Sequence, residues 1–328
     1  MTMSKLFAKT YGFDDGHKQK EPAQVWFTHS IDGLVLFVVF YTQACRWGKC
    51  AGCNLPSLSS SHHIGYLDIM KQVDTLFSRT DVRKHRKDIR QVVLSNNGSV
   101  FDQEIFSTTA LMYFMAVVNR ELPNLAVLTI ETQPDYVDME ELEILARAIH
   151  EGTTPTTLEV AIGFEAYDDR IRNKVFLKGL SLREVENLAE KLAKHGFRLK
   201  CYFMQKPVPD MTDEEAVRDI QDGIDYLHKL ATRFGIAVTM HLNPTYAARG
   251  TILETALKNG IYAPPRLADV ARAARYAQGK RVAVHFGLND EGLATEGGSF
   301  IRPGEEEFLK MLERFNETQD FSLIEEKG

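Results

Sequence analysis

Residues 42–54 of the chain read TQACRWGKCAGCN, and they hold three of its four cysteines, Cys45, Cys50 and Cys53. Their spacing is C-x4-C-x2-C, and thiolates suit zinc or an iron–sulfur cluster. Structural zinc usually takes four protein ligands, and no second Cys-x-x-Cys or His pair follows at the usual distances. Three cysteines on one loop favour a four-iron cluster that keeps one iron open for another ligand. The sequence therefore predicts an iron–sulfur centre here, and zinc stays open because the two histidines at 62–63 offer a fourth ligand.

Short apolar runs and longer amphipathic segments alternate along the chain. The segments 138–150, 181–195 and 213–234 have helical spacing, and the last two begin with capping-box residues. The apolar runs are typical of parallel strands covered on both faces: 34–41, 91–94, 126–131, 158–163, 198–204, 237–242 and 281–285. Cys201 lies inside the fifth run and is interpreted as a core residue. Repeated strand–helix alternation predicts parallel βαβ units, which an α/β barrel and a doubly wound sheet satisfy equally.

Polar residues follow the predicted strands where the strands end. In α/β barrels, the carboxyl ends of the strands and the loops after them carry the functional residues. The cysteines come after the first strand, and residues 96–99 (Asn-Asn-Gly-Ser) come after the second. Glu131 closes the third strand, Glu165 follows the fourth, Lys206 follows the fifth, and residues 243–245 follow the sixth. We therefore expect these residues to face a common mouth.

The composition is that of an ordinary globular protein. Of 328 residues, 44% are hydrophobic and 26% are charged, and such a length fits two average domains or one large barrel. The net charge of −6 argues against a free-standing nucleic-acid binder, although a local basic patch would still allow an RNA substrate. Residues 1–20 show no secretory signal, and the most apolar run, 31–41, is too short to span a bilayer. With only four cysteines, we expect a cytoplasmic protein that has no membrane association.

Taken together, these motifs resemble the radical S-adenosylmethionine (SAM) superfamily, whose usual motif is C-x3-C-x2-C after the first strand. The wider first gap is similar to that of the Elongator-like branch. Residues 130–136 (IETQPDY) look like the third-strand signature of this branch, and residues 161–169 (AIGFEAYDD) look like its fourth-strand signature. Residues 174–179 (KVFLKG) resemble the basic-Gly segment that follows. Residues 242–245 (LNPT), with residues 249–251 (RGT) after them, resemble one subgroup. That subgroup contains the archaeosine-biosynthesis radical SAM protein and its bacterial relatives, and the resemblance covers residues 26–272.

The resemblance implies an α/β fold, namely a partial (β/α)6 radical SAM barrel with parallel strands, formed by residues 26–272. Short extensions are expected on both sides of it. The N-terminal extension would comprise residues 1–25, and the C-terminal extension, residues 273–328, would cover the barrel mouth. Within the latter, the glycine-rich segment 287–304 either covers the mouth or forms a solvated loop.

The resemblance also implies roles for individual residues. Cys45, Cys50 and Cys53 would each ligate one iron of a [4Fe–4S] cluster, and the fourth iron would take the amino and carboxylate groups of SAM. The residues expected to contact SAM are Asn96, Asn97, Gly98, Ser99, Glu131, Glu165 and Lys178. The loop 96–99 would hold the methionine amino group, and the two glutamates would bind that group or the ribose hydroxyls. The lysine would pair with the methionine carboxylate.

Each of these polar residues also has an ordinary structural interpretation. Glu131 would be a surface or capping residue, Glu165 a charge at a helix N-terminus, and Lys178 a solvated helix-end residue. Arg170 and Arg172 compete with Lys178 for the methionine carboxylate. His241 and His285, at strand ends, are expected to pack or to face a substrate rather than to bind metal.

For function, the resemblance implies a radical SAM enzyme of the lyase or transferase type. A reduced cluster would cleave SAM, and the resulting 5′-deoxyadenosyl radical would abstract hydrogen from a substrate such as a modified tRNA base or its precursor. The expected partners are an electron donor such as flavodoxin or ferredoxin, and a separate tRNA-binding protein. Two alternatives stay open, a zinc-stabilised binding protein without catalysis and an Elongator-like tRNA-modifying transferase.

Overall fold

The structure, a computed structural model, describes residues 9–325 and is organised around one eight-stranded sheet. Each strand pairs with its neighbours in chain order, β1 and β2 in antiparallel fashion and all later pairs in parallel. The strands are β1 Gln24–Ser30, β2 Gly33–Val39, β3 Ile89–Ser95, β4 Val127–Thr132, β5 Thr157–Glu165, β6 Arg198–Gln205, β7 Val238–Pro244 and β8 Ala283–Phe286. The sheet curls into a partial barrel, which confirms the predicted fold class.

Helices connect the parallel strands and cover the outside of the sheet. The α-helices are α1 Tyr66–Ser78, α2 Thr80–His85, α3 Thr108–Glu121, α4 Met139–Ile149, α5 Leu182–Lys194, α6 Asp213–Phe234, α7 Ile252–Lys258, α8 Leu267–Arg275 and α9 Glu306–Thr318. A single π-helical turn, Arg170–Val175, follows β5. The predicted capping boxes are present at the starts of α5 and α6, where Ser181 and Thr212 accept backbone N–H groups. No helix among residues 9–325 combines the length and apolarity needed to cross a membrane.

All seven predicted strands are present, with ends that differ from the prediction by no more than two residues. Strand β1 is present in the structure but was not predicted. It forms a hairpin with β2 in which Ser30 lies opposite Gly33 across a two-residue turn. Gly33 has φ 118°, a conformation that favours glycine. Most of β1 is only half-buried, so its sequence lacks the strong apolar contrast by which the other strands were recognised.

A buried polar network fills the interior of the barrel toward the amino ends of the strands. Glu159 forms an ion pair with Lys200 Nζ at 2.7 Å and accepts a hydrogen bond from Thr129 Oγ1 at 2.8 Å. Gln91 Nε2 donates to Thr129 Oγ1 at 2.8 Å. A network whose members are all satisfied is a rigid one, and beside it lies a cavity of about 40 Å³. The larger space of the barrel is therefore left at the carboxyl ends.

Helix α9 covers the free edge of β8. Asn316 accepts from the Phe286 backbone N–H at 2.7 Å and donates to the Phe286 carbonyl at 2.9 Å. Gln319 makes the same pair of bonds with Val284, at 3.0 and 2.7 Å. Two side-chain amides thus take the place of a ninth strand and satisfy an edge that would otherwise attract other chains. Because α9 also packs against β1, it bridges the first and last strands.

Candidate active site

A cavity of about 580 Å³ opens at the carboxyl ends of the strands, a volume typical of sites for small ligands. The predicted site residues that line it are Cys45, Cys50, Cys53, Asn97, Gly98, Glu131, Glu165 and Lys178. The other two predicted residues, Asn96 and Ser99, are not part of the lining. The structure therefore brings most of the predicted residues to one space, although they come from five separate segments of the chain.

The cysteine loop follows β2 and is held by contacts to two neighbouring segments. Ala51 donates its N–H to the Phe176 carbonyl at 2.8 Å, and Ala44 donates to the Ser60 carbonyl at 2.9 Å. A Cβ added at Gly52 would lie 3.0 Å from the Phe176 ring, so a larger residue there would require the ring to shift. All three cysteines of the loop are free and partly exposed, whereas Cys201 is fully buried in β6. These contacts thus fix the loop in position beside the cavity.

Burial raises the pKa of the Cys50 thiol to about 11 and that of Cys53 to about 12, and the neighbouring cysteines add to both shifts. The thiols therefore lie close enough to influence one another electrostatically. Coordination to a metal centre deprotonates a thiol outright. Among the residues that the structure describes, no three His, Cys, Asp or Glu side chains form a group that could hold a metal ion. Ligation by the three cysteines stays a prediction.

The loop after β3 divides into residues that face the cavity and residues that shape the loop. Asn96 Oδ1 accepts the Gly98 N–H at 3.1 Å, and its Nδ2 donates to the Ser99 carbonyl at 3.3 Å. Ser99 Oγ accepts the Gln133 N–H at 3.0 Å. Asn97 has φ 58°, a left-handed conformation that is uncommon outside glycine. Asn96 and Ser99 thus hold the turn that presents Asn97 and Gly98 to the cavity.

Glu165 and Lys178 form an ion pair on the cavity wall. Lys178 Nζ donates to Glu165 Oε1 at 2.9 Å. The side chain of Lys178 is only 11% exposed and that of Glu165 only 13%. Burial alone would lower the pKa of Lys178, but the adjacent Glu165 carboxylate raises it above its ordinary value. Glu165 itself has φ 73° at an irregularity in the pairing of β5 with β6. The backbone there is strained in the way that functional sites often are.

The two arginines that compete with Lys178 lie outside the cavity lining. Arg172 is buried at 1% exposure and donates to the carbonyls of Ala166, Tyr167 and Leu180. Arg170 is exposed and pairs with Asp210 at 3.4 Å. Arg172 therefore fixes the chain around the π-helical turn, and Lys178 is the one of the three that reaches the cavity.

Three rings line the cavity side by side on adjacent strands. Tyr202, His241 and His285 are register partners on β6, β7 and β8, with ring centroids 4.6 and 4.7 Å apart. Tyr202 also donates to Glu131 Oε1, and burial raises the pKa of Glu131. Burial lowers the pKa of His285 to about 3 and that of His241 well below its ordinary value. Both histidines are therefore neutral at physiological pH and available as hydrogen-bonding groups.

Glu291 is a cavity residue that the sequence analysis missed. It lies in the segment after β8 with φ 56°, and its Oε2 accepts from the Tyr246 hydroxyl at 3.2 Å. Burial raises the pKa of Glu291 to about 7, and the nearby Glu131 carboxyl contributes to the increase. Gly287, Leu288 and Asn289 line the cavity too. The polar run Asn289-Asp290-Glu291 was the available signal, but no regular pattern tied it to the barrel.

The α/β partial barrel with three cysteines at its carboxyl-end cavity agrees with what the sequence resemblance predicts. The chain is 27% identical to archaeosine synthase subunit beta of Methanosarcina acetivorans over 266 residues, which cover 79% of this chain and 72% of that protein. It is 23% identical to archaeosine synthase subunit beta of Thermococcus kodakarensis over 300 residues, which cover 89% and 88% of the two chains. No family model matches the chain.

Among solved structures, the fold is similar to that of the archaeal Elp3 of Methanocaldococcus infernus, with a TM-score of 0.47 and 17% identity. The match covers 69% of this chain and 53% of that one, so the chain spans about half the length of that protein. The comparisons confirm the predicted resemblance to the archaeosine-related proteins.

Proposed function

We propose that the chain holds a [4Fe–4S] cluster on Cys45, Cys50 and Cys53 and uses it to cleave SAM reductively. The proposal rests on the set of side chains that line this cavity together. Three thiols from a single loop share the cavity with the nearly buried ion pair of Lys178 and Glu165. Such a wall offers soft ligands for iron beside charged groups for an amino acid, and its residues come from the segments that resemble the radical SAM motifs.

Buried polar atoms without partners support a polar ligand in this cavity. Asn54 Oδ1, Asn97 Nδ2 and Thr245 Oγ1 have no hydrogen-bond partner within the described part of the chain. All three residues line the cavity and are at most 8% exposed. Leaving such an atom unsatisfied costs about 1–3 kcal/mol, so each fits a ligand rich in hydrogen-bonding groups. The amino, carboxylate, hydroxyl and adenine groups of SAM meet this requirement.

When bound, the cluster and SAM would supply the difficult chemistry, namely reductive cleavage of the sulfonium and removal of a hydrogen atom from the substrate. The protein positions the reactants. Lys178 would hold the methionine carboxylate. Glu165 uses Oε1 for Lys178, which leaves Oε2 for the amino group or a ribose hydroxyl. Glu131, Asn97 and Gly98 would supply the remaining contacts, with Asn96 and Ser99 shaping the loop.

The substrate would lie against the part of the cavity lining formed by Tyr202, His241, His285 and Glu291. These groups are hydrogen-bonding but mostly uncharged, which suits a polar heterocycle such as a modified tRNA base or its precursor. The relatives are named as beta subunits, and we propose that a partner protein likewise supplies tRNA binding to this chain. An external electron donor of the flavodoxin or ferredoxin type would reduce the cluster, in the reducing cytoplasm that suits free thiols.

The experiment is SAM cleavage by protein reconstituted with iron and sulfide under anaerobic conditions and reduced with dithionite. We expect 5′-deoxyadenosine and methionine from the wild type and from Cys201→Ala, whose thiol is buried in the core and does not line the cavity. We expect neither product from Cys45→Ala, Cys50→Ala or Cys53→Ala. Absence of product from the wild type, or equal amounts from the loop variants, would contradict the proposal. Purification of a colourless protein containing stoichiometric zinc would favour the zinc-stabilised binding protein instead.

A further inference from the structure

We infer that residues 9–15, called here the N-terminal clamp, hold the cysteine loop in the shape that ligates the cluster, and that Tyr11 is the main positioning residue. This inference rests on the proposed function, because it concerns the same three thiols. It also gives a role to residues 249–251 (Arg-Gly-Thr), which do not line the cavity but support the clamp from below.

The cysteine loop has no regular structure that could fix its shape. Residues 44–54 form neither helix nor strand, and they include Gly48 with φ 58° and Gly52. Such a segment keeps one conformation only if contacts from outside compensate the entropy of ordering it. Ligands that are fixed in advance bind more tightly than ligands that must be ordered on binding. Three thiols on this loop therefore need an external support.

The N-terminal clamp contacts the middle and the end of the loop directly. Lys9 Nζ donates to the Gly48 carbonyl at 2.8 Å, and the Tyr11 hydroxyl donates to the Cys53 carbonyl at 3.2 Å. The bond from Lys9 is exposed, whereas the bond from Tyr11 is partly buried and reaches the backbone of a predicted ligand. Tyr11 is therefore the contact that fixes a thiol most closely.

The clamp reaches the beginning of the loop through residues 60–61. Asp15 Oδ1 accepts the Ser61 N–H at 2.7 Å, and Asp15 Oδ2 accepts the Ser61 hydroxyl at 2.8 Å. The Ser60 carbonyl accepts the N–H of Ala44 at 2.9 Å, directly before the first cysteine of the loop. The beginning, middle and end of the loop are thus all tied to one short segment.

Residues 249–251 form the seat of the clamp. Thr10 donates its N–H to the Gly250 carbonyl at 3.0 Å. Gly250 has φ 71°, and a Cβ at this position would lie 2.8 Å from the backbone nitrogen of Tyr11. The Arg249 carbonyl accepts from Asn54 Nδ2 at 3.2 Å, and this asparagine follows the third cysteine of the loop. One turn therefore holds both the clamp and the end of the loop, and glycine at position 250 allows their close approach.

The test uses three full-length variants. Tyr11→Phe removes the hydroxyl and keeps the ring, and Gly250→Ala pushes the clamp away from its seat. The matched control is Gly235→Ala, because Gly235 has φ 67° and a Cβ there meets nothing within 4 Å. The control therefore carries the same backbone strain without touching the clamp.

The first measurement is the rate of trypsin cleavage after Arg46 and Lys49 in the metal-free chain, with the fragments identified by mass spectrometry. Both residues are exposed within the loop. We expect cleavage there to be about fivefold faster in Tyr11→Phe and in Gly250→Ala than in the wild type, because local opening becomes easier. Gly235→Ala should match the wild type. Wild-type rates in both clamp variants, or an equal increase in the control, would overturn the inference.

The second measurement is made on the reconstituted proteins. We expect Tyr11→Phe to lose iron to a chelator about fivefold faster than the wild type and to show a broadened or shifted electron paramagnetic resonance signal after reduction. A contribution to overall stability alone would not alter that signal, so a wild-type spectrum and a wild-type rate of iron loss would overturn the positioning role. A wild-type chain that takes up no cluster would contradict the proposed function, whereas the trypsin rates would still test the clamp.

Discussion

Lys178 Nζ lies 2.9 Å from Glu165 Oε1, and this pair meets directly above Gly163 on the cavity wall. A Cβ at position 163 would collide with both Glu165 Oε1 and Lys178 Nζ. Because residue 163 has no side chain, the ion pair can occupy the space beside its backbone.

Removing the cation from the pair should destabilise the fold. In Lys178→Met, the Glu165 carboxylate is left nearly buried without its partner, and breaking a buried pair in this way costs about 3 kcal/mol. The double variant Glu165→Gln/Lys178→Met should recover part of that loss, because no charge is left unpaired. Urea unfolding followed by circular dichroism measures both. A single variant as stable as the wild type would show that the pair contributes nothing to stability.

Filling the space at Gly163 should weaken SAM binding more than it weakens the fold. In Gly163→Ala, the flexible ends of Glu165 and Lys178 move aside, so we expect a modest loss of about 1 kcal/mol in unfolding free energy. The displaced groups should lower the affinity for SAM by about tenfold, since 1.4 kcal/mol corresponds to that factor. Gly65→Ala is the control, because a Cβ there meets nothing within 4 Å. Calorimetric titration of SAM into the reconstituted protein gives the comparison, and equal affinities for the two variants would refute the assigned contacts.

Glu291 should make stability depend on pH. Its pKa is raised from 4.5 to about 7 in the folded protein, so the folded state retains a proton that the unfolded state releases between these values. Stability from this group is therefore full below pH 4.5 and falls as pH rises toward 7, by about 1.4 kcal/mol per unit.

In Glu291→Gln that dependence is absent. At pH 8 the variant should be more stable than the wild type by on the order of 3 kcal/mol, whereas near pH 4.5 the two should agree. The free energies of unfolding of both proteins in urea, measured across this pH range, test the prediction. A difference between the two proteins that stays constant with pH would mean that Glu291 titrates normally.

The amide pair that covers the β8 edge should contribute to stability on its own. Asn316→Ala leaves the backbone N–H and C=O of Phe286 without partners in a buried setting, which costs about 2–3 kcal/mol. The same urea experiment measures this loss. Asn119→Ala serves as a comparison, because Asn119 makes one hydrogen bond, to the Ala148 carbonyl at 2.6 Å, and should cost less. Equal losses in the two variants would argue against a special role for the edge.

Much of the fold was predictable because the buried strands are strongly apolar and the helices carry explicit start signals. The capping boxes at Ser181 and Thr212 fixed the starts of α5 and α6 in the sequence, and both are present. Strand β1 was not predictable in this way. Most of its residues are half-buried. The dipeptide Asp32-Gly33 at its turn is a hairpin signal that the sequence analysis missed.

Some residues of the candidate site were predictable from the sequence as well, and others were not. The cysteines, Glu131 and Glu165 were predictable because they follow strands whose carboxyl ends meet at one rim. Glu291 reaches the same cavity from a segment with left-handed backbone at that residue, and nothing in its local sequence specifies that path. Asn96 was placed in the right loop, but a residue-level pattern does not distinguish a side chain that lines a cavity from one that bonds its own turn.

The most direct test of the central claim is the electron paramagnetic resonance spectrum of reconstituted, dithionite-reduced protein, recorded before and after SAM is added. Three protein thiolates leave one iron of the cluster open, so we predict a [4Fe–4S]⁺ signal whose shape changes when SAM coordinates that iron. The spectrum of Cys201→Ala should change in the same way. A protein that shows no iron–sulfur signal, or a signal that SAM leaves unchanged, would contradict the account.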